Sequence, residues 1–424
     1  MMYKTNQINK FNNLEKDVNK SDNFKQKSLE REQKSFKIDC KGYDLIPSVM
    51  NRVDRIIVLG DIHGDYHMVI RSLVLAKVIR VVDNNDPMQT NLSHVAESEI
   101  VNAEIKKYND KTKMYEEHVY KCLWIGGKTV VVQVGDQIDR CRPYKYACDV
   151  KEATVDDEAS DIKIMYFFTD LDKKAQRHGG RVISLLGNHE ILNSLGIMTY
   201  VSHDGLKQFE KVDDVTNKVI KDGTSERTKA FKPGNDIANF MACTRVSCII
   251  IGSNLFVHAA ILPILMEKYK INHAAGLTGI NTAIRKWLLG QIDKKKINDL
   301  LVNEHISPFW PRILGRIPPN TPDYNEACVT YLNPALDILQ LGSVIVGHTP
   351  QYYTHNEGIN SACSKKLWRV DIGSSEAFEP FDKVFTNDKN NHVDNLRRIQ
   401  VLEIIDDDQF NVIKEEDDQV VMHL

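Results

Sequence analysis

The stretch VVVQVGDQIDR, residues 130–140, runs an apolar strand directly into charged side chains. A short valine-rich run bounded by glycine is typical of a strand that is covered on both faces in a parallel or mixed sheet. Gly135 ends this strand, and Asp136 and Asp139 follow it. Open α/β sheets usually bind ligands beyond the carboxyl ends of their strands. One such aspartate could equally form a turn or cap a helix, so the meaning of the pattern depends on whether it recurs.

Four further apolar segments end in the same way. They are RIIVLGDIHGD (55–65), RVISLLGNHE (181–190), LFVHAA (255–260) and GSVIVGHTP (342–350). Carboxylate and amide oxygens mixed with imidazoles suit Mn, Fe, Zn or similar divalent ions, and a set without thiolates argues against a structural zinc site. These strand ends supply too many ligands for one ion. The sequence therefore predicts two ions, which such sites hold about 3.5–4 Å apart across a bridging carboxylate.

Each of these residues also has an ordinary structural interpretation. Asp61 and Asp136 could cap helices, and the segment after Asp65 does show the apolar spacing of an amphipathic helix. His258 or His348, taken alone, could be a core histidine. Their shared position at strand ends favours the metal site over these alternatives.

The five motifs, in this order, resemble those of the calcineurin-like metallophosphoesterases and, more narrowly, the phosphoprotein phosphatase branch. The stretches SPFWPRI (307–313) and RVDIGSSEAF (369–378) are most similar to bacterial-type, Shewanella-like protein phosphatases. The resemblance covers roughly residues 54–380. It implies an α/β fold, the metallophosphatase four-layer sandwich of two mixed β-sheets flanked by helices, with inserted segments.

The resemblance also implies a ligand set for two divalent ions, Mn, Fe or Zn. The first ion would be held by Asp61 and His63, the second by Asn188, His258 and His348, and Asp136 would bridge them. The implied reaction is hydrolysis of a phosphomonoester by in-line attack of a hydroxide that bridges the metals.

The remaining roles that the resemblance implies are proton transfer and phosphate binding. A seryl or threonyl alkoxide leaves poorly, so His189 would protonate it and Asp139 would orient that histidine. The phosphate would be bound by Arg140, Arg312 and Asn188, because planar guanidinium groups match phosphate oxygens two bonds at a time. Arg312 could instead be a surface cation.

Phosphoserine or phosphothreonine in proteins is the predicted substrate, and phosphotyrosine stays open. One alternative is hydrolysis of a nucleotide, such as a dinucleoside polyphosphate, on the same metal pair. Another is an inactive phosphopeptide-binding module, which is disfavoured because every predicted ligand and the predicted acid are present.

Composition divides the chain into three parts and limits its partners. The predicted parts are a mobile polar arm (1–38), the catalytic domain (39–405) with insertions near 84–120, 203–238 and 263–335, and an acidic end (406–424). The first insertion reads as a helix or a hairpin, and the insertions could form a cap or a peripheral decoration. A net charge of −3 gives no reason to expect nucleic acid, and no apolar run is typical of a signal peptide or membrane span. The sequence leaves the oligomeric state undetermined.

Eight cysteines without CxxC spacing predict reduced thiols in a reducing, cytoplasmic location. Cys141, beside the predicted site, could be redox-sensitive or an inert thiol. The abundance of Lys, Asn and Ile hints at an AT-rich genome such as that of a protist or a large DNA virus. In the viral case the location would be the host cytoplasm.

Overall fold

The structure is a computed structural model that describes residues 30, 32–82, 96–109, 114–154, 156–213, 216, 218–385 and 398–415. Its strands are β1 (Val49–Met50), β2 (Arg55–Leu59), β3 (Ile79–Val82), β4 (Ile100–Asn109), β5 (Met114–Trp124), β6 (Val130–Gln133), β7 (Arg181–Leu185), β8 (Lys211–Val212), β9 (Val219–Lys221), β10 (Arg245–Val246), β11 (Cys248–Ile251), β12 (Asn254–Val257), β13 (Ser343–Val346), β14 (Asn360–Ala362), β15 (Leu367–Arg369), β16 (Gln400–Ile405) and β17 (Gln409–Lys414). Its α-helices are α1 (Tyr66–Leu75), α2 (Asp161–Arg177), α3 (Asn188–Ser194), α4 (His203–Lys207), α5 (Gly223–Phe231), α6 (Asp236–Thr244), α7 (Pro263–Lys268), α8 (Leu277–Leu288), α9 (Asn298–Val302), α10 (Ile313–Arg316), α11 (Asn333–Leu339), α12 (Gln351–His355) and α13 (Glu379–Phe385).

Two six-stranded mixed sheets form the centre of the fold. The first sheet has the order β10-β7-β6-β2-β16-β17, and the second has the order β1-β11-β12-β13-β15-β14. In the first sheet β2, β6 and β7 run parallel, and in the second β12 and β13 do. All five strands that the motifs predicted are present, so their carboxyl ends lie at shared sheet edges.

Alternate residues along each strand pack into different layers. Val58 of β2 and Ile345 of β13 belong to the apolar core between the two sheets. The neighbouring Ile57 faces the other way, into a cluster with α1 and α2, and Ile250 of β11 packs with α6 and α8. Burial of each such side chain stabilises the fold by about 1.5–3 kcal/mol. The order helix, sheet, sheet, helix confirms the predicted four-layer sandwich.

The insertions and hairpins follow local turn signals. The insertion near 84–120 folds, where it is described, as the long hairpin β4–β5, which pairs with β3, so the helix alternative was wrong. Two further hairpins are formed by β11–β12 and by β16–β17. Residues 416–424 of the acidic end lie outside the described residues. Among the described residues, every helix is too short or too polar to serve as a membrane span.

The end of the predicted N-terminal arm packs onto the domain. Residues 32–39 are helical, and Phe36 is buried in the core. Cys40 follows this helix and forms a disulfide with Cys243 at the end of α6. Residues 1–29 lie outside the described residues, so the extent of a mobile arm stays a prediction.

Six of the eight cysteines are paired in disulfides, which contradicts the prediction of reduced thiols. The pairs are Cys40–Cys243, Cys141–Cys148 and Cys328–Cys363, whereas Cys122 and Cys248 are free and buried. Cys141 is therefore neither a free redox-sensitive thiol nor an inert one. Disulfides are rare in reducing compartments, so the cysteines no longer support a reducing location. No spacing in the sequence predicts these pairs, because the folded chain decides which cysteines lie close together.

Candidate metal centre

The loops that follow five parallel strand ends meet between the two sheets. Three residues of these loops have a left-handed backbone conformation, with φ of 49° at His63, 53° at Asp136 and 66° at His348. Such φ values are uncommon outside glycine and cluster at functional sites. The sharp turns aim these side chains back over the strand ends instead of outward into solvent.

Asp136 lies at the centre of the cluster. Its Oδ2 is 3.4 Å from Nε2 of His258 and 3.9 Å from Nε2 of His63. Among the described residues, two groups have ligand atoms within 4.8 Å of one another and could each hold an ion: His63, Asp136 and His189, and Asp136, His258 and His348. Asp136 belongs to both groups, which is the position that a bridging carboxylate must occupy.

Hydrogen bonds to the main chain set the tautomer of each ligand histidine. Nδ1 of His63 and of His258 lies 3.3 and 2.9 Å from a main-chain carbonyl oxygen, and Nε2 of His348 lies 3.0 Å from another. A carbonyl can only accept, so each of these nitrogens carries the hydrogen. The opposite nitrogen then presents its lone pair to the cluster, the arrangement in which metal-ligating histidines are held.

The side chains around His258 are acceptors that face one another. Nε2 of His258 lies 2.9 Å from Oδ1 of Asn188 and 3.2 Å from Nδ1 of His348. With the tautomers given above, both ring nitrogens are acceptors, as is the amide oxygen. Acceptors this close repel one another unless a positive charge lies among them. These residues therefore fit a divalent cation.

The aspartate after β2 gives a second test of fit. Oδ2 of Asp61 accepts the N–H of His348 at 3.0 Å, but its Oδ1 is buried with no hydrogen-bond partner. A Cβ atom at Gly347 would lie 2.3 Å from that oxygen. Asp61 belongs to neither of the two groups above, although its Oδ2 is 4.0 Å from Nε2 of His63. An unpaired buried carboxylate oxygen is costly, and a bound cation would compensate it.

The pKa shifts of the carboxylates show how unequal their surroundings are. Burial, together with the nearby Asp371 and Asp136, raises the pKa of Asp61 well above its ordinary value. Burial raises the pKa of Asp371 to about 6. Burial alone would also raise the pKa of Asp136, but His258 and His189 hold it well below the usual range. The site thus concentrates buried negative charge, which two cations would neutralise.

Glu190 supports the loops although sequence reasoning gave it no role. This fully buried carboxylate accepts the main-chain N–H groups of Gly187, Asp136 and Gln137 at 2.6, 3.0 and 2.8 Å. It thereby ties the loop after β6 to the start of α3. A partial signal was present, because an acid at the third position of a helix is one half of a capping box, although Gly187 at the N-cap has no side chain to form the other half.

The predicted acid pair is formed. Nδ1 of His189 lies 2.8 Å from Oδ2 of Asp139, and the main-chain N–H of His189 donates to Oδ1 of Asp136 at 2.9 Å. Nε2 of His189 is left facing the cluster, 3.8 Å from Oδ2 of Asp136. The carboxylate that binds Nδ1 sets the ring orientation and leaves Nε2 to exchange a proton.

The two predicted phosphate-binding arginines lie in different environments. Arg140 is 2% exposed, donates to the carbonyl of Gly64 at 3.2 Å and lies 3.2 Å from Glu158 and 3.7 Å from Asp65. Its charge is therefore compensated inside the protein. Arg312 is exposed at the rim and donates to the carbonyl of His348.

A third arginine, Arg142, was missed by the sequence reasoning. Its guanidinium carbon lies 4.5 Å from the ring centre of Phe378 and 5.8 Å from that of Tyr200. The Phe378 ring in turn contacts His63 at 5.4 Å, and the Tyr200 ring contacts His189 at 4.9 Å. Arg142 thus stands over two rings that each touch a histidine of the site. The available signal was a cation two positions after the GDQIDR motif.

Comparison with known proteins identifies the family to which these motifs belong. Residues 54–352 match the family model described as calcineurin-like phosphoesterase. The uncharacterised protein R398 of Acanthamoeba polyphaga mimivirus is 38% identical over 261 residues, which cover 59% of this chain and 98% of that protein. Shewanella-like protein phosphatase 2 of Arabidopsis thaliana is 23% identical over 363 residues, covering 78% of this chain and 74% of its own.

Solved structures support the fold. The cold-active protein-tyrosine phosphatase of a psychrophilic Shewanella species has a TM-score of 0.51 at 16% identity, with 87% of this chain and 83% of that chain covered. At this identity the likeness concerns the two-sheet sandwich alone.

Proposed function

The chain belongs to the calcineurin-like phosphoesterase family and is a phosphatase, and we propose that it hydrolyses phosphoserine or phosphothreonine in proteins with two divalent ions. The observation that supports this most strongly is the position of Asp136, whose carboxylate is common to both candidate ion sites. A shared carboxylate is the feature that distinguishes a two-metal site from two separate sites.

The residues divide into two ligand sets around that carboxylate. Asp61 and His63 would hold one ion, and the other would be held by Asn188, His258 and His348. This mixture of oxygen and imidazole donors suits Mn, Fe or Zn. When bound, the ions supply Lewis acidity toward the phosphate and lower the pKa of a water toward neutrality.

The protein supplies proton transfer and phosphate orientation. Nε2 of His189 would donate a proton to the departing seryl or threonyl oxygen, while Asp139 holds the other ring nitrogen at 2.8 Å. Arg140, Arg312 and Asn188 remain the proposed phosphate ligands, of which Arg312 is the exposed one. Arg142, which stands over the ring of Phe378, is a further proposed phosphate contact. Charge on the phosphate oxygens in the transition state favours such guanidinium contacts.

A second candidate substrate, phosphotyrosine, is favoured by a row of aromatic rings. Phe378 contacts His63 at 5.4 Å, Phe381 contacts Phe378 at 6.3 Å, and the exposed Tyr144 contacts Phe381 at 6.2 Å. This row leads from the site to the surface and could pack against the ring of an aryl phosphate. The related Shewanella enzyme is described as a protein-tyrosine phosphatase.

The test compares one peptide carrying phosphoserine, phosphothreonine or phosphotyrosine with a dinucleoside polyphosphate, at equal Mn²⁺, and with Asp136→Asn as the inactive control. We expect turnover of the serine or threonine phosphopeptide that chelation abolishes. Preference for the tyrosine peptide would replace the first substrate by the second. Turnover of the dinucleotide alone would contradict both, and folded protein without any turnover would indicate a binding module.

The predicted cytoplasmic location would require three disulfides to persist there. Disulfides generally persist in oxidising compartments, so we propose that the chain works in its oxidised form. Thiol labelling of the protein from its native source, with and without reduction, measures this directly. Six labels before reduction in addition to Cys122 and Cys248 would contradict it.

A further inference from the structure

Arg227 lies in the insertion near 203–238, outside every motif, yet its side chain is fully buried. It sits on α5 with its guanidinium carbon 4.8 Å from the ring centre of Phe231 and 5.4 Å from that of Phe209. A buried arginine is costly unless it is paired and hydrogen-bonded, so its partners indicate why it is there.

Those partners lead to the acid pair of the active site. Nη2 of Arg227 donates to Oδ2 of Asp161 at 2.7 Å and lies 3.6 Å from Oδ1 of Asp139. Nε of Arg227 donates to Oδ1 of Asn193 at 2.9 Å. One guanidinium therefore reaches three polar side chains on different segments of the chain.

The same side chains hold Asp139. Its Oδ1 accepts Nδ2 of Asn193 at 2.9 Å, and its main-chain N–H donates to Oδ1 of Asp161 at 3.2 Å. Its other oxygen, Oδ2, is the one that binds His189. The backbone of Asp139 is left-handed, with φ of 73°, so these contacts also stabilise a conformation that aspartate seldom adopts.

The direction of the Asn193 amide makes the connection specific. An arginine can only donate, so the amide oxygen of Asn193 must face Arg227. The amide nitrogen then points to Asp139 and also donates to the carbonyl of His189 at 3.0 Å. If the amide were reversed, its oxygen would face the carboxylate and repel it.

We infer that Arg227 is a positioning residue for the leaving-group acid: through Asn193 and Asp161 it orients Asp139, which in turn orients His189. This inference rests on the proposed function. The insertion that carries α5 is accordingly part of the active-site structure, although sequence reasoning left open whether it was a decoration.

The test uses Arg227→Lys, which keeps the positive charge beside Asp161 but replaces the planar fork by a single ammonium group. The two substrates are p-nitrophenyl phosphate, whose leaving group needs little protonation, and a phosphoserine peptide, whose leaving group needs it. General acids contribute about 10²–10⁴-fold. We expect kcat to fall about 10²-fold on the peptide and less than about fivefold on p-nitrophenyl phosphate, with KM little changed.

Asn193→Ala gives an independent route, because it removes the amide between Arg227 and Asp139 and leaves the pair of Arg227 and Asp161 in place. It should reproduce the same difference between the substrates. Arg285→Lys is the matched control: Arg285 is also buried, stacks on a phenylalanine at 5.3 Å and pairs with Glu32 at 3.8 Å. It should lower kcat on neither substrate.

A measurement without turnover separates positioning from a general loss of stability. The Nδ1–H of His189 should give a low-field proton resonance in the metal-free protein that is absent in His189→Asn. We expect Arg227→Lys and Asn193→Ala to remove or shift it. An unchanged resonance, or an equal fall in kcat on both substrates, would overturn the inference. Wild-type protein that turns over neither substrate would instead contradict the proposed function, while the resonance still tests Arg227.

Discussion

The candidate active site has two parts that are built in different ways, a metal half and an acid half. In the metal half, two of the candidate histidine ligands are held by main-chain carbonyls just after β6, those of Val134 and Ile138, and the third is held by the carbonyl of Trp310. In the acid half, Asp139 and His189 are held by side chains, two of which, Arg227 and Asp161, come from segments outside the motifs. A hydrogen bond to a main-chain carbonyl is kept when most side chains are substituted, whereas a hydrogen bond to a side chain is lost when that side chain is replaced. The metal half should therefore be changed mainly by replacing its ligands or Glu190, whose side chain holds the loop of Asp136, and the acid half also by changes at Arg227 and Asp161.

The largest effect should come from replacing Asp136, the carboxylate shared by both candidate ion sites. Asp136→Asn keeps the shape of the side chain and removes its charge, so we expect kcat on p-nitrophenyl phosphate to fall about 10³-fold, equivalent to about 4 kcal/mol. The assay is turnover after chelation and Mn²⁺ add-back. Activity near that of the wild type would show that the two candidate ion sites do not share a bridging ligand.

In the acid half, His189→Asn should slow hydrolysis of a phosphoserine peptide by between about 10² and 10³-fold, because the leaving oxygen loses its proton donor. The loss on p-nitrophenyl phosphate should be smaller. Equal losses on both substrates would place His189 with the metal half, as an ion ligand instead of an acid.

Metal binding should stabilise the metal half, and this effect can be measured without turnover. At a Mn²⁺ concentration of 100 times Kd, the free energy of unfolding should rise by about 2.7 kcal/mol for each ion bound, because the ions bind the folded state and relieve the repulsion of buried acceptors. Differential scanning calorimetry measures the change in Tm. Asp136→Asn should lose most of this rise and Arg227→Lys should keep it; the reverse result would contradict the division into halves.

The disulfide Cys141–Cys148 lies in the loop that follows Arg140 and closes a separation of seven residues. Replacing both cysteines by serine should cost about 2 kcal/mol of stability from loop-closure entropy. We also expect KM for phosphate esters to rise, because this loop carries Arg142. Cys328→Ser with Cys363→Ser is the control, and it should change stability without changing KM.

The smallest effect concerns the two buried arginines that follow Asp139 in the chain, Arg140 and Arg142. Arg142→Lys should raise KM about tenfold, or about 1.4 kcal/mol, because lysine cannot both stack on Phe378 and bind phosphate with a planar fork. Arg140→Lys should in addition lower stability, since Arg140 is 2% exposed and lies 3.2 Å from Glu158. A rise in KM for Arg140→Lys alone would show that Arg142 does not contact the phosphate.

Sequence reasoning predicted the residues of the candidate metal half from local patterns, but only part of the acid half. Each ligand follows an apolar strand by a few residues, so the pattern is local, and parallel strands necessarily share an edge. The pair of His189 and Asp139 was also predicted, but only through resemblance to the family. Nothing near Asp139 in the chain indicates that Arg227 and Asp161 support it.

The sequence by itself determined the apolar strands and the polar residues that follow them at the candidate metal site, because strand periodicity and the turns that follow are encoded within about ten positions. The family and the two-sheet fold were predicted through the resemblance of the five motifs, taken in order. Only the tertiary structure decided that Arg140 is buried against Glu158, that Arg142 stands over Phe378, and that six cysteines are paired. It also decided that Arg227, in the insertion near 203–238, contacts the residues of the acid half. These contacts join residues up to 203 positions apart, and they depend on how helices and loops pack around the sheets, which no local pattern records.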